Sequence, residues 1–370
     1  MTKEKYLSKL ISFKTDENLK DITNCLTFIA NELKANGWKT CIIKNSEDSK
    51  PNLVAVLGSK AIENINDGLL LAGHIDTVST NESAWKTNPF KLIKEDNYYY
   101  GLGVSDMKCF TASVLELALK LAKLEIKKPI VLALTSDEET NLFGVQTICR
   151  FFKEKSIVPK YAIIGEPSNM MFSLSNKGFY EMKTIINGVA CHSSNPSLGT
   201  NAIYVASKFV LYLEKLNKKY KNKETTLNVG IINGGRMCNI VADKCEISWD
   251  IRTSNKNTFV TINNKVQNEL IKILKPYKNA IYSNTIAFKI PPFEKKEFDL
   301  ISNTMEKYNI SEKPYIASTE AGYYQELGIN PLIYGCGEIE VAHAINEKIS
   351  IKNFNAFTLN LLAIIKDYCC

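Results

Sequence analysis

Only three histidines occur in the 370 residues, His74, His192 and His343, so the company each keeps is informative. His74 stands in Gly73-His74-Ile75-Asp76-Thr77-Val78, at the end of an apolar run of strand length. An imidazole can bind a metal through one ring nitrogen while a carboxylate fixes the other, and Asp76 is placed to do so. The plain alternative is a hydrogen-bonded structural histidine. Gly101-Leu102-Gly103-Val104-Ser105-Asp106-Met107-Lys108 is a glycine-bearing loop running into a helix. There Asp106 reads either as a helix N-cap or as a carboxylate bridging two metals. Leu134-Thr135-Ser136-Asp137-Glu138-Glu139 sets three acids after another apolar strand. Such acids repel one another unless cations neutralise them or a solvated loop spreads them apart. Glu166, in Gly165-Glu166-Pro167, and His343 each follow a further apolar run. Any one of these signals is modest. Together, five strand-end segments supply a histidine and carboxylate set suited to two zinc ions sharing one bridging ligand.

The elements needed to position these residues follow from hydrophobic period. Helical spacing over residues 17–35 ends at Gly37, a C-cap signal. Strand-length apolar runs at 52–57 and 68–73 come next, then a helix over 107–124, a strand at 129–134, a helix at 145–155 and a strand at 161–164. Strands alternating with helices predict an α/β fold with a mostly parallel sheet flanked by helices. Ligands in such sheets gather outside the carboxyl ends of the strands. From about Leu174 the order becomes strand 178–188, helix 201–219, strands 225–233 and 245–252, helix 258–274 and strand 280–289. This βαββαβ order predicts a smaller α+β module inserted into the first domain. After Pro291 and Pro292 the pattern returns with a helix, a strand at 331–334 and an amphipathic helix at 351–367. The expected division is 1–174 and 290–370 for the catalytic domain and 175–289 for the insertion.

Bulk properties exclude other classes. Hydrophobic residues make up 45% and charged ones 23%, the composition of a globular chain. No run approaches the ~20 apolar residues of a membrane span, and no apolar segment follows the charged start. A cytoplasmic location is expected, with the ten cysteines, none in CxxC spacing, mostly small buried hydrophobes. The net charge of +7 is spread along the chain with no nucleic-acid motif, so neither nucleic acid nor membrane is an expected partner.

In this order the motifs resemble the metallopeptidase and deacylase family that includes acetylornithine deacetylase, succinyl-diaminopimelate desuccinylase, aminoacylase and glutamate carboxypeptidase. The carriers are His74-Ile75-Asp76-Thr77-Val78, Trp85 with Pro89-Phe90, Glu138-Glu139, Gly165-Glu166-Pro167 and His192-Ser193-Ser194. The resemblance runs from about Leu69 to His343. It implies a zinc-peptidase-like catalytic domain with a lid and dimerisation domain, and roles residue by residue. His74 and Glu166 would hold one zinc, Glu139 and His343 the other, with Asp106 bridging. Glu138 would be the general base beside Asp76, and His192, in the lid, would steady the oxyanion in a partner subunit's site. Cobalt or manganese would suit the same donors. This chain departs from the family at Leu102, where arginine is usual, and at Cys109, where glycine is usual. An exposed Cys109 would make the site sensitive to oxidation.

The expected substrate is a small N-acyl amino acid. Ser318-Thr319-Glu320-Ala321 and His192-Ser193-Ser194-Asn195-Pro196 resemble the acetylornithine deacetylases more than the desuccinylases. Glu320 would then face a substrate ammonium, or else be an exposed loop acid. Arg252 resembles the family residue that grips the substrate carboxylate, a task suited to its planar fork. Lys177 and Asn239 are further candidates for that surface. The runners-up are a desuccinylase, an aminoacylase or dipeptidase of the same family, and a catalytically silent amino-acid-binding dimer.

Overall fold

Strands that are apolar at every position belong inside a sheet covered on both faces. The computed structural model, which describes residues 1–16, 18–220, 224–277, 279–296, 304, 306–308 and 310–370, bears this out. Pro51–Leu57 (β2), Leu69–His74 (β3) and Ile130–Thr135 (β6) are buried along their whole length. With Lys39–Lys44 (β1), Tyr161–Ile164 (β7) and Asn330–Ile333 (β12) they form a six-stranded sheet in the order β1-β2-β6-β3-β7-β12. Strands β6, β3, β7 and β12 run parallel, and β2 is antiparallel to both β1 and β6. The carboxyl ends of the parallel strands therefore open on one edge. His74 closes β3, and Glu138, Glu166 and the Gly335–His343 segment follow β6, β7 and β12.

Helices Lys3–Ile11 (α1), Leu19–Ala35 (α2), Lys108–Ala122 (α3) and Ile351–Cys369 (α8) bury Leu7, Ile29, Phe110 and Leu361 against one face. Phe143–Glu154 (α4) and Ala321–Glu326 (α7) pack on the other. The start expected for α2 at Glu17 lies outside the described residues, as does part of the helix expected after Pro292; Asn18 caps α2 through its side chain. Gly37, at φ +82°, ends it as expected. Strand β1 is new: it is an edge with no buried position, so its residues lack the apolar signature of the inner strands. A small sheet of Ile93–Glu95 (β4), Tyr98–Tyr100 (β5) and Lys348–Ser350 (β13), in the order β13-β5-β4, also escaped the periodicity because each strand is three residues long. These elements belong to a unit comprising Met1–Leu174, Lys295–Tyr315 and Thr319–Cys370.

The second unit, Ser175–Glu294 with Ile316–Ser318, has the βαββαβ order. Gly178–Asn187 (β8), Thr226–Gly234 (β9), Lys244–Thr253 (β10) and Ile281–Ile290 (β11) form an antiparallel sheet in the order β11-β8-β10-β9. Strand β8 alternates strictly between buried and half-buried positions, which puts Tyr180, Met182 and Ile186 on one face. That face packs against Ala202–Tyr220 (α5) and Lys256–Leu274 (α6). Trp249, buried between them, donates its indole N–H to Thr184 Oγ1 at 2.9 Å. No described helix is long and apolar enough to cross a membrane.

Candidate active site

The strand ends converge because the backbones beneath them approach closely. A Cβ on Gly165 would lie 2.1 Å from the Phe110 ring, and one on Gly73 would lie 2.3 Å from Met107 Cε. Helix α3 thus presses onto β3 and β7, and the loop before it delivers Asp106 over their carboxyl ends. Donor atoms of His74, Asp106 and Glu139 all fall within 4.8 Å of one another. His74 Nε2 lies 3.1 Å from Asp106 Oδ1. His343 Nε2 lies 3.3 Å from Asp106 Oδ2 and 2.7 Å from Glu139 Oε1. Asp106 therefore touches both imidazoles with its two oxygens. It is not an N-cap: Met107 holds that position before α3, with no side-chain cap bond.

Asp76 meets His74 with its backbone more closely than with its carboxylate. The His74 Nδ1–H donates to the Asp76 backbone carbonyl at 3.1 Å, and the Asp76 carboxylate stands off at 3.5 Å. The reason is that Asp76 Oδ2 accepts the Glu139 N–H at 3.0 Å, while Oδ1 is buried without a hydrogen-bond partner. Asp76 thus ties β3 to the Glu139 loop, and the carbonyl fixes the tautomer that leaves Nε2 as a donor of electrons.

The three consecutive acids separate in space. Asp137 turns away and accepts the N–H groups of Phe143 and Gly144, both at 2.8 Å, at the start of α4. Burial still pushes its carboxyl up to about 6. Glu138 and Glu139 stay with the site. Burial, then Glu166 and other carboxylates, drive Glu138 well above the carboxylate range. Glu166, 5% exposed, is driven up by burial and Asp106, although it lies outside the tight group of three. Burial also raises Asp106, but the imidazoles of His343 and His74 outweigh it and hold that carboxyl below its usual range. Hydrogen bonds to Asp106 and Glu139 lift His343 to about 10. Burial opposes protonation of His74, yet Asp106 and Asp76 raise it well above its ordinary value. So many carboxylates against two imidazoles call for added positive charge, and this mixed donor set fits divalent cations.

Sequence reasoning missed two neighbours. The Tyr315 phenol is kept neutral by burial and then by Glu166, Asp106, Glu138 and Glu139, so it remains a hydroxyl donor beside them. Thr135 Oγ1 donates to Glu320 Oε1 at 2.6 Å. Glu320 itself is 1% exposed, with Oε2 buried and unpartnered and its carboxyl raised to about 8 by burial. This corrects one expectation for Glu320: it is not an exposed loop acid, because Thr135 and the fold enclose it. No motif signalled Tyr315 or Thr135.

In the second unit, His192 is exposed, and its backbone bridges to Ile240 beside Asn239. The Ser194 N–H points into His192 Nδ1 at 3.2 Å, and Ser194 Oγ lies 2.8 Å from it. A backbone N–H can only donate, so Nδ1 accepts and the neutral ring carries its proton on Nε2. Asn239 is exposed and its carbonyl accepts from Ser193. Arg252 is exposed at the end of β10, its guanidinium 4.6 Å from the centre of the Phe179 ring. Lys177 is half-buried just before β8, its carbonyl accepting from Ser318 Oγ.

The two departures at the Asp106 loop are both buried. Leu102 is 3% exposed and its N–H donates to the Pro89 carbonyl. Cys109 is fully enclosed, with its Sγ 3.5 Å from that of Cys336. Burial and that neighbour push the Cys109 thiol well up, so the oxidation-sensitive thiol considered for an exposed Cys109 does not arise.

Comparison with known proteins decides the family. The profile of peptidase family M20/M25/M40 matches residues 70–367. The chain belongs to that family. An acetylornithine deacetylase of Buchnera aphidicola subsp. Schizaphis graminum is 32% identical over 338 residues, 88% of this chain and 86% of its own. One from Pasteurella multocida is 32% identical over 357 residues, covering 93% and 91%. The fold is shared with an aminopeptidase from Bacillus cereus, at a TM-score of 0.78 and 20% identity over 99% of this chain and 98% of that one. It is shared also with a dinuclear metal-binding peptidase of Bacillus subtilis, at a TM-score of 0.67 and 13% identity over 98% and 99%. The resemblance read from the motifs is thereby borne out, and this M20 chain is a metal-dependent amide hydrolase acting on small amino-acid substrates.

Proposed function

We propose that this M20 enzyme removes the acetyl group from N-acetyl-L-ornithine, giving L-ornithine and acetate in arginine biosynthesis, in the cytoplasm. The observation carrying the chemistry is the group His74, Asp106 and Glu139, tied to His343 and flooded with carboxylates. The substrate rests on the two acetylornithine deacetylases that align over most of their lengths. In this reading His74 and Glu166 would hold one divalent cation and Glu139 and His343 the other, with Asp106 available to both. Zinc is the first candidate, with cobalt or manganese as substitutes for the same donors. Bound there, the cations would supply Lewis acidity towards water and the scissile carbonyl.

The chain's own groups do the rest. Glu138 takes a proton from the attacking water on a carboxylate oxygen. The water oxygen adds to the acyl carbon, Glu138 returns the proton to the amide nitrogen, the C–N bond breaks, and the proton left on the acyl hydroxyl passes to the amine, so that acetate and the ammonium form of ornithine leave. His192 donates its Nε2–H to the developing oxyanion. Arg252 pairs with the substrate carboxylate, with Asn239 and Lys177 lining the same surface. His192 serves the site of a second copy, the second unit being the lid and dimerisation domain. Its exposed Leu198, Tyr204, Leu211 and Ile231 support a pairing surface. The test is amine release by zinc-loaded protein from N-acetyl-ornithine, N-succinyl-diaminopimelate and a dipeptide. Selective, chelator-sensitive turnover of the first is expected. Comparable turnover of all three would replace this reading with a broad aminoacylase or dipeptidase.

A further inference from the structure

Asp106 and His343 reach the site on separate loops, one between β5 and α3 and the other between β12 and β13. Glu347 lies on the second loop, four residues beyond His343. Its side chain is sealed from solvent, 1% exposed. Oε1 accepts the N–H groups of Ser105 at 2.7 Å and Asp106 at 2.9 Å, and Oε2 accepts that of Gly103 at 2.7 Å. The Gly101 N–H reaches the Glu347 carbonyl as well. Gly103 sits at φ +81°, and this turn lets the three amides converge on one carboxylate. A second stitch joins the same loops. Ser105 Oγ accepts the Glu338 N–H at 2.8 Å and lies 3.1 Å from the Glu338 carbonyl. No polar ligand group of the site contacts Glu347 through its side chain; it reaches Asp106 through the backbone.

We infer that Glu347 is the positioning residue of the metal centre, clasping the Asp106 loop to the His343 loop so that both ligands meet the same cation in a preformed cage. The inference rests on the ligand assignments proposed above. Removing the carboxylate strands three buried N–H groups, and the loop must then turn to find other acceptors. The cation that draws ligands from both loops, held by Glu139 and His343 and bridged by Asp106, loses most. The one held by His74 and Glu166 keeps two ligands from strand ends that Glu347 does not touch. The conservative variants divide the contributions. Glutamine keeps an oxygen for Ser105 and Asp106 but turns an NH2 towards the Gly103 N–H. Aspartate keeps both oxygens but withdraws them by about one C–C bond, ~1.5 Å.

The test is titration of metal-free wild type, Glu347→Gln, Glu347→Asp and His343→Ala with Co2+, followed by absorption, with thermal melts of the same samples. Wild type should bind two ions per chain and His343→Ala one. Both Glu347 variants should bind the first ion as wild type does and the second about tenfold to a hundredfold more weakly, as loss of a ligand-supporting partner does. Their kcat should fall with KM little changed, and excess metal should restore it. Second-ion binding within twofold of wild type in a folded variant would overturn the inference, as would equal weakening of both ions. Wild type binding fewer than two ions would instead bring down the ligand assignment itself. If glutamine prevents folding, the aspartate variant decides by the same criteria.

Discussion

In the first unit His74 is 1% exposed, and both of its ring nitrogens already face a partner; Asp106 and Glu139 meet further groups on other strand ends. In the second unit His192, Asn239 and Arg252 stand in the open, and His192 is held through a neighbouring serine. The same residue types are thus treated in two ways. Of the groups proposed to share cations, His74, Asp106 and Glu166 are buried and Glu139 is half-buried, while the exposed His343 is held by Asp106 and Glu139, so the cluster is tied together before any ligand arrives. Groups assigned to a changing substrate stay accessible. Fixed donors avoid reorganisation during reaction, whereas accessible ones leave room for specificity to drift by single side chains.

That contrast is open to attack from both sides, and the largest effect should come from the buried one. Glu138→Gln should lower kcat by about 10²–10⁴ with both metals retained, read by steady-state kinetics and metal analysis. Near-normal turnover would remove Glu138 from the proton-carrying role. His192→Ala should cost about 10²–10³ in kcat, the scale of a lost oxyanion donor, again with full metal content. An emptied metal site in that variant would erase the distinction between the units. Mixing it with Glu138→Gln protein should recover part of the activity if copies share sites; confirmed heterodimers without recovery would make each copy self-contained.

Smaller effects concern stability. Glu320 ionises near 8 in the folded chain, raised by burial from the ~4.5 of an exposed glutamate. Between those values the folded state binds the extra proton. Its stabilising contribution is complete below pH ~4.5 and is lost as pH rises towards 8, at up to about 1.4 kcal/mol per pH unit. In chelator-treated protein, Glu320→Gln should flatten that slope by about one proton and be the more stable form at pH 8 in denaturant titrations. An unchanged slope would mean that Glu320 is ionised throughout. Gly165→Ala should cost about 1–3 kcal/mol, since the new methyl must displace the Phe110 ring. An unaltered melting temperature would show that α3 is not pressed onto the strand ends.

Much of this was legible in the sequence for a physical reason. Inner strands are buried on both faces and so almost wholly apolar, which is why β2, β3, β6 and β7 announced themselves, and the polar residues at the carboxyl ends of β3, β6 and β7 stood out. Helices of fifteen residues or more were equally clear from their spacing. What stayed hidden depends on partners far along the chain. Edge strand β1 and the three-residue strands β4, β5 and β13 have no inward face long enough to show a period. Asp137 looked like its neighbours Glu138 and Glu139, and only the start of α4 reveals which of the three turns away. Glu347 resembles any acid before a strand; its role rests on amides more than two hundred residues earlier. The choice between cap and bridge for Asp106 likewise had to wait for His74 and His343 to be brought together.

The most direct test of the account is the metal content of purified, zinc-supplemented protein, measured by elemental mass spectrometry beside its turnover of N-acetyl-ornithine. Two metals per chain are expected, with hydrolysis lost on chelation and regained when the ions are returned. Turnover that persists in protein stripped of metal would contradict it.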